Sequence, residues 1–273
     1  MTDRTGERPM VMGVLNVTPD SFSDGGLFLD PDVAVARGRQ MAEEGADVVD
    51  VGGESSRPGA RPVEEAEELR RVLPVVAALS PDVRVSIDTV KPGVAAAAVA
   101  AGATLVNDIS GALGPVAAEH GAGWVAMHMR GAPVDMQEDP RYEDVVAEVH
   151  GILLARARAA RAAGVDEVWV DPGIGFGKTA THNLQLLAHL AELVADAAEL
   201  GARVMIGTSR KSFLGRLGAV DADRPAPAGD RLESSLATAV WALAQGAAMV
   251  RVHDVAPTVL AAALVGGPER VAA

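Results

Sequence analysis

The chain has 273 residues, of which 49% are hydrophobic, and this composition excludes an intrinsically disordered protein. Its formal net charge of −13 and the lack of any basic run exclude a typical nucleic-acid-binding surface. Because it contains no cysteine, disulfides, thiolate metal sites and cysteine nucleophiles are excluded, and a cytoplasmic protein is expected. No apolar segment approaches the ~20 residues of a membrane span, and the polar residues 1–9 do not resemble a signal peptide.

Short apolar segments alternate with helical segments along the whole chain. The predicted strands lie at 10–15, 47–51, 83–87, 104–106, 123–127, 168–170, 203–206 and 247–252. The predicted helices lie at 30–45, 63–79, 92–101, 115–120, 143–163, 183–200, from 230 onward and at 257–264. Asp230 and Glu233 predict a capping box at the start of the helix that begins at 230.

Eight strand–helix units predict a (β/α)8 TIM barrel of the α/β class, as a single domain over residues 10–265. Residues 1–9 and 266–273 are predicted to be tails. A doubly wound sheet would give the same alternation, usually with fewer units, and is the less favoured alternative.

The most distinctive segment follows the sixth predicted strand, where Asp171 precedes a glycine loop at 172–178. The loop is not a P-loop, because position 172 is proline, and not a dinucleotide fingerprint, because position 178 is lysine. Asp171 is therefore the candidate functional group, and the alternative is a turn with a capping aspartate. Lys178 is interpreted as solvated or paired with a nearby acid, and His128 as a core histidine.

Polar groups follow every predicted strand. In a barrel these positions share one face, which is where barrel enzymes hold their active sites. The groups are Asn16, residues 54–57, Asp88, Asn107, His128, Asp171, residues 209–211, Arg251 and His253. The loops at the other face are short and have no such groups, so the sequence predicts an active site at the carboxyl ends of the strands.

Three of these side chains suit the N–H edge of a nitrogen heterocycle. A carboxylate such as Asp88 or Asp171 accepts two parallel N–H bonds, and Asn107 offers both a donor and an acceptor. Asn16 is a candidate oxygen ligand for Mg2+, an ion that keeps several waters and binds substrate phosphates.

Four other side chains are interpreted as cations that suit an anion such as diphosphate: Arg57, Lys211, Arg251 and His253. Lys211 also allows a Schiff base, as in barrel aldolases, but Arg210 beside it favours hydrogen bonding. The residues thus predict a nitrogen heterocycle deep in the pocket and phosphate nearer its rim.

Eight motifs resemble those of the dihydropteroate synthase family. They are MGVLNVTPDSFSDGG at 12–26, DVGGESSRPGA at 50–60, SIDTVKP at 86–92, NDISG at 107–111, MHMRG at 127–131, DPGIGFGK at 171–178, GTSRKSFLG at 207–215 and RVHDV at 251–255. The resemblance runs from about residue 10 to 265. It implies a (β/α)8 barrel that is usually a homodimer and a target of sulfonamides. It also implies a Mg2+-dependent transferase that joins 6-hydroxymethyl-7,8-dihydropterin diphosphate to p-aminobenzoate, giving 7,8-dihydropteroate and diphosphate in folate biosynthesis.

The resemblance also implies roles for residues at the matching positions. The pterin ring would be bound by Asp88, Asn107, Met127, Asp171, Phe176 and Lys211. The diphosphate would be bound by Asn16, Arg251 and His253, with Asn16 also near Mg2+. The p-aminobenzoate site would be formed by Phe22, Ser56, Arg57, Pro58 and Ser212. The implied catalytic groups are Asp88, Asp171, Lys211, Arg251 and His253.

Three alternatives are less favoured. A pterin-dependent methyltransferase would share the aspartate and asparagine contacts with the ring but would not need the anion site at Arg251 and His253. A catalytically silent pterin-binding paralogue should have lost part of the set Arg57, Lys211 and Arg251, and none of the three is missing. An aldolase would be detected by borohydride trapping on Lys211.

Overall fold

The computed structural model describes residues 8–18, 30–57, 59–217 and 226–266. Eight strands pair in parallel and in chain order, and β1 pairs with β8 to close a barrel. The strands are β1 Met10–Asn16, β2 Val48–Gly52, β3 Arg84–Asp88, β4 Leu105–Asp108, β5 Gly123–Met127, β6 Val168–Asp171, β7 Ala202–Ile206 and β8 Met249–Val252. The predicted single-domain (β/α)8 barrel is confirmed.

Helices follow each strand and surround the barrel. In the described parts of the chain they are α1 Pro31–Glu43, α2 Glu65–Leu79, α3 Pro92–Ala100, α4 Gly114–Glu119, α5 Val145–Ala162, α6 Ala180–Ala188, α7 Leu190–Glu199, α8 Ser212–Leu217, α9 Leu232–Ala244 and α10 Val255–Val265. Local sequence sets several of their starts: the Asp144 side chain, for example, accepts the first free N–H groups of α5. None of these helices combines the length and hydrophobicity that crossing a bilayer requires.

Two helix predictions were wrong. The helix predicted at 183–200 is two helices, because the backbone leaves the helical region at His189. Both helices bury leucines on the barrel side, so the hydrophobic period continues across the break. The predicted capping box is absent, since Asp230 ends a 3-10 turn and Arg231, which makes no side-chain cap, is the N-cap residue of α9.

The hydrophobic core has two layers, because the residues of each strand point alternately into the barrel and out to the helices. Valine, leucine and alanine dominate the outer layer, between strands and helices. The barrel interior is filled by Met12, Val48, Leu105, Val125, Trp169, Met205 and Met249. Burial of each large apolar side chain in the barrel interior stabilises the fold by roughly 1.5–3 kcal/mol relative to its exposure to water.

Ion pairs cover the amino-terminal end of the barrel. The Glu167 carboxylate accepts hydrogen bonds from Arg84 at 3.1 Å, Arg203 at 2.8 Å and the Trp169 indole at 2.8 Å. The Arg203 guanidinium also lies 4.0 Å from the Trp169 ring centroid. Trp169 and its partners therefore fill the barrel interior at this end.

Candidate active site

A cavity of about 410 Å³ opens at the carboxyl ends of the strands. Nine predicted site residues line it: Asn16, Ser56, Arg57, Asp88, Phe176, Lys211, Ser212, Arg251 and His253. Asn107, Met127 and Asp171 do not line it and are buried at the ends of β4, β5 and β6. Phe22 and Pro58 lie outside the described residues. A larger cavity, of about 680 Å³, lies at the opposite end of the barrel and contains none of the predicted groups.

Arg251 connects the predicted ring-binding groups to the predicted anion-binding groups. Its Nε donates to Asp50 at 2.6 Å, and its Nη2 donates to Asp88 at 2.6 Å. The Asn107 amide donates to the same Asp50 oxygen at 2.9 Å. Burial acts to lower the pKa of Arg251, but Asp50 and Asp88 outweigh it and hold that pKa above its usual value. Burial raises the pKa of Asp88 to about 7, although Arg251 acts in the opposite direction.

Asp50 and Met136 are among the residues of this site that sequence reasoning missed. Asp50 is fully buried, and its Oδ1 has no hydrogen-bond partner in the described residues. A carboxylate inside the valine-rich strand β2 was a signal that could have identified it. Met136 lines the cavity from the loop between β5 and α5, and no spacing in that loop indicates its position.

Asp171 organises the turn that follows β6. Its Oδ1 accepts the Gly173 N–H at 2.7 Å, as the alternative interpretation of a turn-forming aspartate required. Its Oδ2 lies near Gly207, which follows β7, at 3.9 Å from the point that a Cβ on this glycine would occupy. Burial raises the pKa of Asp171, with Lys211 as the largest opposing influence. One oxygen therefore holds the loop while the other faces β7.

Gly173 brings the loop against the end of β5. Its φ is +66°, and a Cβ there would lie 1.9 Å from the carbonyl oxygen of His128, a separation that no side chain can adopt. The glycines of this loop therefore serve close backbone packing, as expected for the frame of Asp171.

Lys178 stabilises the same loop from beneath. Lys178 is only 3% exposed. Its ammonium donates hydrogen bonds to the carbonyl oxygens of His128, Gly173 and Phe176 at 3.2, 3.0 and 2.9 Å. It also lies 3.0 Å from His128 Nδ1, and burial lowers the pKa of His128 to about 3, so that ring is neutral. The prediction that Lys178 is solvated or paired with an acid was wrong, because the side chain is buried on backbone carbonyl groups and forms no ion pair within the described residues. The interpretation of His128 as a core histidine is confirmed.

Lys211 extends along the other side of the loop. Its Nζ donates to the Ile174 carbonyl and lies 4.6 Å from the Phe176 ring centroid. Burial lowers its pKa to about 8, with Asp171 acting against that change. The chain has only three lysines, at 91, 178 and 211, and all three lie at this end of the barrel.

His253 was predicted to be a cation, and this prediction was wrong. Burial lowers its pKa to about 3, and the neighbouring Arg210, Arg251 and Arg57 act in the same direction. The Ser209 hydroxyl accepts the backbone N–H of His253 at 3.1 Å and lies 3.1 Å from its Nδ1. At this pKa the His253 imidazole is neutral and carries one ring N–H that can donate a hydrogen bond.

Asn16 ends β1 beside Asp88, with Gly52 between them. A Cβ on Gly52 would lie 3.7 Å from the Asn16 Oδ1 and 3.5 Å from the Asp88 Cβ. In the described part of the chain, no three His, Cys, Asp or Glu side chains converge as a metal site. Asn16 lines the cavity and could offer one amide oxygen to Mg2+, an ion that takes few protein ligands and completes its shell with water and substrate oxygens.

Comparisons with known proteins agree with this geometry. Residues 12–253 match the model of the pterin-binding enzyme family. The dihydropteroate synthase of Mycobacterium leprae is 50% identical over 94% of this chain and 92% of its own, and that of Escherichia coli is 45% identical over 92% and 88%.

Solved structures give the same result. A Yersinia pestis dihydropteroate synthase in complex with a sulfonamide drug is 44% identical, with a TM-score of 0.86 over 94% of this chain and 93% of its own. A Xanthomonas albilineans dihydropteroate synthase with 4-aminobenzoic acid is 46% identical, with a TM-score of 0.84 over 94% and 92%. The chain therefore belongs to the dihydropteroate synthase family of pterin-binding enzymes.

Proposed function

We propose that this protein condenses 6-hydroxymethyl-7,8-dihydropterin diphosphate with p-aminobenzoate, giving 7,8-dihydropteroate and diphosphate in folate biosynthesis. The observation that carries the proposal is the junction at Arg251. Through Asp50 and Asp88, this one guanidinium links the groups that suit a heterocycle to the groups that suit an anion. A substrate with both parts therefore matches the cavity.

The ring would bind at the buried ends of β3, β4 and β6. Asp171 would accept N–H bonds from the amino-pyrimidinone edge, and Asp88 and Asn107, which pair across β3 and β4, would make further polar contacts with the ring. Met127 and Phe176 would enclose its faces. Lys211, beside Phe176, can donate to a ring oxygen or nitrogen once it leaves the Ile174 carbonyl.

The diphosphate would bind nearer the rim. Arg251 supplies a permanent charge, since its pKa is raised, and His253 supplies a neutral N–H donor. A bound anion favours the protonated form of His253, so substrate binding itself would raise the pKa of this ring. Asn16 would hold Mg2+, which neutralises charge on the leaving diphosphate when bound.

The protein's contribution to the chemistry is electrostatic. The bond from the pterin methylene carbon to the diphosphate oxygen breaks, a carbon–nitrogen bond to the arylamine forms, and the amine nitrogen loses a proton. Positive charge develops on the ring as diphosphate leaves, and the carboxylates of Asp88 and Asp171 stabilise it. Arg251 and His253 stabilise the opposite charge on the leaving group.

The second substrate would bind at the outer part of the same cavity. Ser56 and Arg57, from the loop between β2 and α2, line it together with Ser212, at the start of α8. Hydroxyl groups and a guanidinium suit the carboxylate and amine of p-aminobenzoate. The roles proposed for Phe22 and Pro58 remain predictions.

The test is product formation from dihydropterin diphosphate and labelled p-aminobenzoate, with wild type, Asp171→Ala and the matched control Asp166→Ala. We expect dihydropteroate from the wild type and the control, and a rate about a hundredfold or more lower for Asp171→Ala, because a buried charge-stabilising group is removed. Asp166 is exposed at the opposite end of the barrel and lines only the cavity there.

The same assay tests the metal. Chelation with EDTA should lower the wild-type rate, and added Mg2+ should restore it. A folded wild type that binds pterin but makes no product under any of these conditions would support a silent paralogue and reject the proposed reaction.

We also propose that the protein is a homodimer. The supporting feature is an apolar patch on two adjacent helices, α6 and α9, made of Leu184, Val240 and Trp241. The Trp241 indole donates to the Leu187 carbonyl at 3.0 Å, which holds α9 against α6, yet this side chain stays 49% exposed. Large apolar groups that remain exposed together are typical of an interface.

A further inference from the structure

A buried ion cluster joins β3 to the loop between β2 and α2. Lys91 lies three positions after Asp88, and its ammonium donates to Glu54 at 2.6 Å and to Glu68. The Glu68 side chain is fully buried, and those of Lys91 and Glu54 are about one-fifth exposed. A buried carboxylate is tolerated only when it is paired and hydrogen-bonded, so Lys91 is a necessary partner of Glu68.

Further hydrogen bonds complete the cluster. The Thr89 hydroxyl donates to the second oxygen of Glu68 at 2.7 Å. The backbone N–H of Val63 donates to Glu54 at 2.7 Å, on the same oxygen that Lys91 contacts. Glu54 stands where the loop leaves β2, and Val63 stands just before α2. One carboxylate therefore ties the two ends of the loop together, and Lys91 anchors that carboxylate to β3.

The surrounding backbone is shaped for this cluster. A Cβ on Gly53 would lie 2.9 Å from Cγ of Glu68 and 2.7 Å from a methyl of Val72, so only glycine lets the loop approach α2 this closely. Arg71 adds a second tether, donating to the Gly53 carbonyl at 2.9 Å. The loop base is thus fixed to both α2 and β3.

The loop that is tied in this way carries Ser56 and Arg57 to the cavity, and neither Lys91 nor Glu54 lines that cavity. We infer that Lys91 and Glu54 are positioning residues for the second substrate: they hold the loop so that Ser56 and Arg57 face p-aminobenzoate. This inference rests on the proposed function. Since neither Lys91 nor Glu54 lines the cavity, a change at Glu54 should affect the second substrate and leave the affinity for the pterin nearly unchanged.

The kinetic test compares Glu54→Gln and Lys91→Met with wild type. Glu54→Gln removes the charge that Lys91 contacts but keeps an oxygen for Val63 and leaves the buried Lys91–Glu68 pair intact, so the fold is preserved if Lys91→Met proves unstable. The matched control is Arg39→Met, which removes one partner of an exposed ion pair with Asp82 at 3.0 Å. We expect KM for p-aminobenzoate to rise about tenfold in Glu54→Gln, with KM for dihydropterin diphosphate and kcat changing less than about twofold.

A second measurement does not depend on activity. Hydrogen–deuterium exchange without substrates should be faster in the loop between β2 and α2 of Glu54→Gln, and unchanged in α6 and in the control. Unchanged exchange in that loop, or an equal rise of KM for both substrates, overturns the inference. An inactive wild type with faster loop exchange in Glu54→Gln would reject the proposed reaction while leaving the anchoring of the loop supported.

Discussion

The pKa of the Asp88 carboxyl group is subject to two opposing influences. Burial raises its pKa to about 7, from the ordinary value of 3.8, and the nearby acids Asp50, Glu68 and Asp108 add to this, while Arg251 acts against it. The raised pKa means that the folded chain binds the proton more tightly than the unfolded chain. The stability that this proton contributes is complete below about 3.8 and is lost as the pH rises through about 7.

Affinity for the pterin ring should depend on pH in the other direction. Only the ionised Asp88 accepts N–H bonds with both oxygens, so we expect the affinity for a phosphate-free pterin to fall roughly tenfold per pH unit below about 7. Isothermal titration at several pH values measures this, and Asp88→Asn should flatten the dependence. An equally steep dependence in Asp88→Asn would assign the proton to another group, such as Asp171.

The loop between β6 and α6 shows how an element positions a functional group. Two carbonyl groups of this loop, at Gly173 and Phe176, and the carbonyl of His128 after β5 accept hydrogen bonds from Lys178. Asp171 holds the turn at the start of the loop. The sequence predicted Asp171 as the functional group and the loop as its frame. It could not show which side chain supports the frame, because that support comes from contacts with β5 that no local spacing encodes.

Replacement of Lys178 by methionine should destabilise the fold. Three carbonyl groups lose their shared donor, and at about 1 kcal/mol or more for each buried group we expect a loss of about 3 kcal/mol. Urea unfolding followed by circular dichroism measures the change. The control Arg141→Met, at an exposed ion pair with Asp139, should leave the free energy of unfolding unchanged within error. If Lys178→Met unfolds at the same urea concentration as the wild type, the proposed role of Lys178 in stability is contradicted.

Element boundaries were predictable where local chemistry determines them. β5 was predicted with the bounds that the structure shows, and the strand ends at Asp88 and Asp171 were placed within one residue. The break at His189 was not predictable, because both flanking helices bury the same face. The start of α9 was missed because Asp230 belongs to a 3-10 turn that precedes the helix.

At the scale of the whole molecule, alternation of strands and helices was sufficient to predict the barrel and the face that holds the site. The contact between Arg251 and Asp50 was not predictable in the same way. These residues lie 201 positions apart, and only closure of the barrel brings β8 and β2 within reach of each other across its interior.

The proposed homodimer can be tested at the apolar patch on α6 and α9. Leu184→Glu places a charge at the proposed interface. Because burying that charge would cost free energy, this variant should be a 28.0 kDa monomer instead of a dimer. Light scattering after size exclusion measures the mass. Val33→Glu, on α1 at another part of the surface, is the control and should remain dimeric. A monomeric wild type, or equal masses for the two variants, rules out this interface.

The placement of all three lysines at one end of the barrel has a practical consequence for chemical modification. The other basic residues are arginines, so the helical wall offers no side-chain amine to an acylating reagent. Acetylation of a lysine in the folded protein therefore reports on the active-site end, and Lys211, which lines the cavity, should be protected when that cavity is occupied. Covalent attachment of the protein to a sensor surface through lysine would obstruct the pocket, so attachment through a carboxylate on the outer helices is the appropriate choice for binding measurements.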